Sequence, residues 1–201
     1  MDTRTHENCG TCEAGVKRRE ALRRLALIVP TLMFLPEVST AQTVIAKEHQ
    51  LKAAFIFNFI TFVEWPPNTF ESPTAPLLID VAGQTPIFAE LGKAVKDRKI
   101  DGRPLIVRPV ETPDEARVTH LLFVPASEDY RCEKWLSAVE KASVLTIGES
   151  EAFARRGGMI NFVQEVDKLR FEINMDSVDA AHLRIGAQLQ KLAKTLRRKK
   201  Q

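Results

Sequence analysis

Few residues of this 201-residue chain stand at spacings that could support chemistry. Cys9 and Cys12 form a CxxC pair, which is typical of a redox or metal site. No second pair and no suitably spaced histidine follows to complete a zinc set, since His49, His120 and His182 are isolated in sequence. The motifs GxGxxG, Walker A, GxSxG and HExxH are also missing. The sequence therefore predicts no catalytic residue, no metal site and no cofactor.

Two polar residues flank the apolar run at 120–125. His120 opens it, and a hydrogen-bonded structural histidine is favoured there over a catalytic one. Ser127 follows it, where a nucleophile could stand, but without a glycine elbow a helix cap is favoured.

A second group of candidates lies near the end of the chain. Arg170 and Glu172 share one strand face, two residues apart. They are either a solvated charged pair, which contributes little, or the polar rim of a binding surface. Gly157 and Gly158 either approach a ligand closely or end a helix before a strand.

Trp65 is the leading candidate for contact with a partner protein. It lies between Glu64 and two prolines, at the end of the first predicted helix. An exposed tryptophan is a frequent hot spot of protein interfaces, so we expect Trp65, with Glu64 beside it, to anchor a partner. Burial in the core is the alternative.

The first forty-one residues have the pattern of an export signal. A basic cluster at 17–24 precedes an apolar run at 25–36 that is too short to span a bilayer, and Ser39-Thr40-Ala41 offers small residues for cleavage. We expect residues 1–41 to be a cleaved secretory signal peptide and the mature chain to reach the periplasm. An uncleaved membrane-anchoring segment is the alternative, and Sec and twin-arginine export both stay open. The CGTC at 9–12 would be discarded with the signal.

Charge and cysteine content limit the class of the mature chain, 42–201. The whole chain has a net charge of only +3, which is too balanced for a protein that grips nucleic acid electrostatically. A basic tail at 197–201 ends it, and a single ordinary core is expected. Cys132 is its one cysteine, so no intramolecular disulfide is possible, and we expect a free thiol buried on a helix or pairing between chains.

The mature chain alternates between helix and strand patterns, which predicts βαβ units and a mostly parallel sheet. Helices are predicted at 44–63, 85–96, 127–139 and 151–156, and strands at 77–82, 104–110, 120–125 and 143–147.

The end of the chain differs. Two alternating runs at 159–164 and 169–175 predict an antiparallel hairpin. A long C-terminal helix is predicted from Asp176 or Ser177 onward. Its apolar stripe is Val178, Ala181, Ile185, Leu189, Leu192 and Leu196. The expected fold is one α/β domain with a mostly parallel sheet, flanking helices, this hairpin and this helix.

Six phrases together resemble the YfiR/HmsC-like family of periplasmic regulatory proteins, over about 44–196. They are LKAAFIFNFITFVEWP (51–66), LLIDVAG (77–83), HLLFVPASE (120–128), VLTIGESEAFARRGGMINFV (144–163), LRFEIN (169–174) and LRIGAQLQKLA (183–193).

The resemblance implies a non-catalytic periplasmic domain that is usually a homodimer. Known members restrain a membrane-bound diguanylate cyclase by binding its periplasmic part, which lowers cyclic di-GMP and exopolysaccharide or biofilm output. Such restraint is a population shift toward the inactive cyclase, and envelope stress or a small ligand would release it. Known members also carry disulfides, but Thr119 stands where one of their cysteines often lies, so intramolecular redox gating is not expected here.

A binding module for a small molecule is the alternative function. A doubly wound sheet offers a crevice at the carboxyl ends of its strands, which we expect near Gly83, Ser127 and 148–149.

Overall fold

The computed structural model describes residues 40–166 and 168–198. The chain divides into two units, 1–40 and 41–201, and the fold below is that of the second. The predicted signal peptide, including the CGTC segment, lies outside the described residues except at its last two positions, as does the end of the basic tail from 199. Cleavage after Ala41 therefore stays a prediction.

An eight-stranded sheet forms the centre of the domain, in the order β10-β8-β7-β6-β5-β2-β4-β3. Its strands are β2 (Leu77–Ala82), β3 (Lys99–Ile100), β4 (Arg103–Val110), β5 (Leu121–Val124), β6 (Leu145–Gly148), β7 (Ile160–Glu165), β8 (Lys168–Asn174) and β10 (Thr195–Arg197). Five adjacent strands, β4, β2, β5, β6 and β7, are parallel to one another, whereas β7 and β8 form the predicted antiparallel hairpin. The predicted α/β class with a mostly parallel sheet is confirmed.

Helices cover the sheet and connect its strands. The α-helices are α1 (Thr40–Thr61), α2 (Ile87–Val95), α3 (Cys132–Val139), α4 (Met175–Ala180) and α5 (Ala187–Leu192). Short 3₁₀ turns occupy Pro67–Thr69, Pro113–Val118 and Ala126–Arg131, and a separate two-stranded sheet pairs β1 (Val63–Glu64) with β9 (Arg184–Ile185).

Alternation along the strands divides the core between the two faces of the sheet. On one face Phe59 of α1 packs against Phe171 of β8, with ring centroids 4.8 Å apart. On the other face Trp135 of α3 and Phe153 are fully buried against Leu122 of β5. The hairpin therefore turns its aromatic residues toward α1 and its polar residues toward the opposite face.

Contacts at the two opposite ends of the central strands hold helix α1 and the residues that follow it. Just past the midpoint of α1, the Lys52 ammonium lies 2.6 Å from Glu149, just after β6. Beyond the carboxyl end of α1, the indole N–H of Trp65 donates to the carbonyl of His120, just before β5 (3.3 Å). Because these two contacts lie at opposite ends of the central strands, the segment from Lys52 to Trp65 runs along the length of β5 and β6.

The predicted long C-terminal helix is wrong. His182 adopts a left-handed φ of 58°, which closes α4, and the Gly186 N–H donates to Phe62 O (2.8 Å) instead of continuing a helix. The chain then pairs β9 with β1 before α5 begins. Tertiary contacts outweigh the helical pattern here, and the last two stripe residues, Leu192 and Leu196, are exposed.

The predicted short helix at 151–156 is also wrong, because the segment forms successive turns. The ring of Phe153 is fully buried in their middle. Gly157, at a φ of 106°, ends the turns in a conformation that favours glycine.

Candidate functional site

The expected ligand crevice lies at the switch point of the sheet, between the carboxyl ends of β2 and β5. The Glu128 side chain fills that space, since a Cβ on Gly83 would lie 2.6 Å from Glu128 Oε1. Its other oxygen accepts from Trp135 Nε1 (3.0 Å) and Arg131 Nε (2.8 Å). Ser127 is exposed beside it. Glu128 is therefore a structural carboxylate, and the crevice near Gly83 is closed.

The next strand ends are bridged as well. Glu149 Oε1 accepts from the backbone N–H of Ala126 (2.9 Å), and its Oε2 accepts from Lys52 (2.6 Å). Hydrogen bonds to Glu149 and Glu48 raise the pKa of Lys52 against the opposing effect of burial, which is the largest single influence. The Lys52–Glu149 pair therefore fixes α1 to the ends of β5 and β6.

His120 lies at the opposite, amino end of the central strands and has a structural role. Its Nδ1 accepts the Leu78 N–H (3.0 Å), and its ring stacks on Phe70 with centroids 4.6 Å apart. Burial lowers the pKa of His120. A hydrogen bond to the Thr69 backbone and the charge of Asp80 oppose this effect, whereas the positive charges of Arg103 and Arg108 add to it. The neutral imidazole is the form that this geometry requires.

We expect the protein to lose stability as the pH falls below about 6.5, the ordinary pKa of histidine. Because the pKa of His120 is lower in the folded than in the unfolded chain, its stabilising effect is complete above that pH and declines as the pH falls through the folded value. Urea unfolding at a series of pH values measures this slope.

The matched variant is His120→Asn, whose side-chain oxygen can accept the same N–H without titrating. It should reduce the pH slope, whereas His182→Gln, at an exposed histidine, should leave it unchanged. Equal slopes in all three proteins would contradict the assignment.

A polar cavity of about 440 Å³ lies against the face of the β7–β8 hairpin that points away from α1, which we call its outer face. Asn161 and Glu172, opposite each other in the hairpin register, are 1% and 7% exposed. Asn161 Nδ2 donates to Glu172 Oε1 (3.3 Å), and Arg197 Nε donates to Glu172 Oε2 (2.9 Å). Asn161 Oδ1 is buried without a hydrogen-bond partner in the part of the chain that the structure describes. Four further charged residues line the cavity: Glu149, Glu151, Arg155 and Lys194.

The predicted pair Arg170 and Glu172 shares a strand face but makes separate contacts. Glu172 is buried and bonded to Asn161 and Arg197, so a purely solvated pair does not describe it. Arg170 is exposed and lies 3.7 Å from Glu165 near the hairpin tip.

The other predicted contact residues lie apart from this cavity. Trp65 is half-buried, edge-on to Phe70 at 6.3 Å, and Glu64 beside it is exposed. A Cβ on Gly158 would lie 2.1 Å from the Phe153 ring, so Gly158 serves packing. Gly157 and Arg156 line a second cavity of about 360 Å³, between α3 and α4.

The remaining predictions about single residues concern cysteine and metals. Cys132 is a free thiol buried on α3, where burial raises its pKa and keeps the unreactive thiol form. Thr119 is buried, and its hydroxyl donates to Leu121 O (2.9 Å). Within the described residues, no group of three or more potential ligands is placed to hold a metal ion.

Asn161 and Lys52 are site residues that sequence reasoning missed. The alternation of MINFVQ does place Asn161 opposite its apolar neighbours, which was the available signal. For Lys52 no local signal exists, because its partner Glu149 is 97 positions away.

Fold and site together define a doubly wound α/β domain with a filled switch point and a polar cavity on its sheet. The chain belongs to the YfiR/HmsC-like family, whose model matches residues 49–194, so the resemblance noted from the sequence is confirmed. This is a family of periplasmic regulatory proteins that act on a partner protein. No helix in the described part of the chain is both long and apolar enough to span a membrane.

Similarity to solved structures concerns the fold alone. A conserved domain protein from Vibrio cholerae O1 biovar El Tor has a TM-score of 0.53 at 10% identity, covering 72% of this chain and 60% of its own. An ABC domain in complex with L-Trp from Streptococcus pneumonia has a TM-score of 0.48 at 12% identity, covering 74% of this chain and 60% of its own. The chain thus spans about 60% of the length of both proteins. No curated protein matches the chain.

Proposed function

We propose that this protein is a non-enzymatic periplasmic regulator that binds and restrains a membrane-bound diguanylate cyclase. The match to the YfiR/HmsC-like family over 49–194 carries the proposal. Restraint lowers cyclic di-GMP and, through it, exopolysaccharide and biofilm output. The regulator acts as a homodimer after export and loss of residues 1–41.

The mechanism requires only differential binding. A regulator that binds the inactive form of the cyclase more tightly than the active form shifts the equilibrium toward the inactive form. The buried polar groups support a role without catalysis, because Glu128, Lys52 and His120 are each engaged in bonds that hold the fold.

Exposed side chains supply surfaces for protein contact. Val44 and Ile45 in the first half of α1 and Leu51 near its midpoint are 64%, 54% and 46% exposed. Exposed apolar groups that lie together are typical of interaction sites. Glu64 and the partly exposed Trp65 lie near the other end of α1 and remain our candidates for the cyclase contact.

Gene deletion is the direct test, and we expect it to raise cellular cyclic di-GMP and matrix production. The full chain should restore the low level. A chain that starts at residue 42 after an initiating Met should fail to restore it, because it cannot leave the cytoplasm. Unchanged cyclic di-GMP after deletion, with no envelope protein recovered by cross-linking, would refute the proposal.

A charge reversal tests the proposed contact surface. Glu64→Lys should weaken restraint, whereas Glu71→Lys, at another exposed glutamate of the following loop, should not. Both residues are exposed, so circular dichroism should find both variants folded.

A small-molecule binding module is the second candidate function. The observation that favours it is the cavity with the unpartnered Asn161 oxygen.

A further inference from the structure

Asn161 lines the cavity on the face of the β7–β8 hairpin that points away from α1, and its side-chain oxygen is buried without a hydrogen-bond partner among the described residues. The whole Asn161 residue is only 1% exposed. A buried carbonyl oxygen without a donor destabilises the fold relative to one that is hydrogen-bonded. A fold that keeps such a group beside a cavity has a place for a donor from outside the chain.

The orientation of the Asn161 amide follows from its neighbour. Nδ2 donates to Glu172 Oε1 at 3.3 Å. Rotating the amide by half a turn would place Oδ1 against this carboxylate oxygen, and two acceptors would then face each other. Oδ1 therefore faces away from Glu172 and needs an N–H or O–H group.

Most charges around the cavity are already engaged. Glu172 binds Arg197, Glu149 binds Lys52, and the Lys194 ammonium lies 2.5 Å from Glu165. Arg155, by contrast, is exposed and makes no ion pair within the described chain, and the same holds for Glu151.

The lining therefore combines the Arg155 guanidinium, which has no ion pair within the described chain, with two hydrogen-bond acceptors, the Asn161 oxygen and the Glu151 carboxylate. Its charged residues number three acidic and three basic, so its charge is balanced. Balanced charge disfavours a polyanion or a bare cation and suits a small molecule that carries both an anionic group and a donor. A volume of about 440 Å³ lies within the range of small-molecule sites.

We propose that this cavity binds a small acid that donates an N–H or O–H to Asn161 Oδ1 and directs its carboxylate or phosphate to Arg155. Lys194, which is paired with Glu165, lines the same cavity. The site goes beyond the proposed regulator function and supplies a place where a ligand could modulate it. Binding is measured on the isolated protein, so its failure leaves the cyclase proposal standing, and the reverse also holds.

A matched set of probes tests both halves of the recognition. N-acetylglycine carries an amide N–H and a carboxylate, its methyl ester lacks the anion, and N-acetylsarcosine lacks the N–H. Phosphoethanolamine combines a donor with a phosphate and so separates the two kinds of acid. Chemical shifts of the Asn161 side-chain amide and the Arg155 Nε–H report binding at the site.

We expect shifts at both groups with N-acetylglycine or phosphoethanolamine, at millimolar concentrations. Because each control probe lacks one of the two interactions, it should bind roughly ten-fold more weakly or not at all. Asn161→Leu and Arg155→Gln should each weaken binding by a similar factor, whereas Arg184→Gln, at an exposed arginine outside the cavity, should not. Since Arg155 is exposed, its variant should fold even if Asn161→Leu does not.

Two results would overturn the proposal. One is the absence of any shift at Asn161 and Arg155 with all four probes. The other is a high-resolution structure, obtained with the donor-bearing acids present, in which Asn161 Oδ1 is bonded only to an ordered water molecule.

Discussion

Replacing Arg108 with leucine should destabilise the domain by about 3 kcal/mol, the lower end of the cost of breaking a buried ion pair. The partner, Asp80, lies on the second strand of the parallel sheet and is 0% exposed. Arg108 of β4 binds it through two hydrogen bonds of 2.8 Å each. The Arg108 side chain is 34% exposed, so water reduces the effect of losing it. Without Arg108, a carboxylate would stay buried without its counter-charge.

Urea unfolding measures this effect, and two variants calibrate it. Asp80→Leu combined with Arg108→Leu removes both charges and should be less destabilised than Arg108→Leu alone. Arg117→Leu breaks a surface pair of similar length, with both side chains well exposed, and should change stability by less than about 1 kcal/mol. A change in Arg108→Leu as small as that of Arg117→Leu would contradict this account.

The central strands and the hairpin could be predicted because their patterns are local. Leu77–Ala82 is a short apolar run, and buried parallel strands consist of such runs. In the hairpin, the residues facing the aromatic core alternate with Asn161 and Glu172, and this alternation identifies an antiparallel pair with one polar face.

The end of the chain could not be predicted in the same way. Val178, Ala181, Ile185 and Leu189 are all buried, as the helical stripe requires. They are buried from two short helices and a strand, because β9 pairs with β1 and Gly186 bonds to Phe62. Apolar residues at a period of 3.6 are therefore all buried here without a continuous helix. Contacts with residues distant in sequence decide between one long helix and two short helices joined by a strand.

The candidate site depends on distant partners as well. Trp65 was recognised as a singular residue, but whether its indole meets solvent or the carbonyl of His120 depends on a segment 55 positions away. The unpartnered oxygen of Asn161 is a property of the assembled sheet face. The residue types indicated which segments carry polar groups, but the hydrogen-bond partners of those groups could be identified only in the folded structure.

The close packing of Phe153 leads to the second large expected effect, at Gly158. A Cβ there would lie 2.1 Å from the Phe153 ring, and one on Gly148 would lie 2.4 Å from the same ring. Phe153 is fully buried and has no room to retreat. We expect Gly158→Ala and Gly148→Ala each to destabilise the domain by about 3 kcal/mol, at the upper end of the usual cost of overpacking.

This effect also bears on the proposed ligand site, because the turns around Phe153 carry Glu151 and Arg155 to the cavity. Phe153→Ala alone leaves a cavity and should cost about 3–5 kcal/mol, but combined with Gly158→Ala it should cost less than the two single losses together. Gly92→Ala is the control, because no described heavy atom other than those of its chain neighbours and of the backbone of α2 lies within 4 Å of its Cβ position. That variant should gain about 0.5–1 kcal/mol from helix propensity. Thermal unfolding of the five variants is the measurement, and a Gly158→Ala protein as stable as Gly92→Ala would disprove the packing of Phe153 between the two glycines.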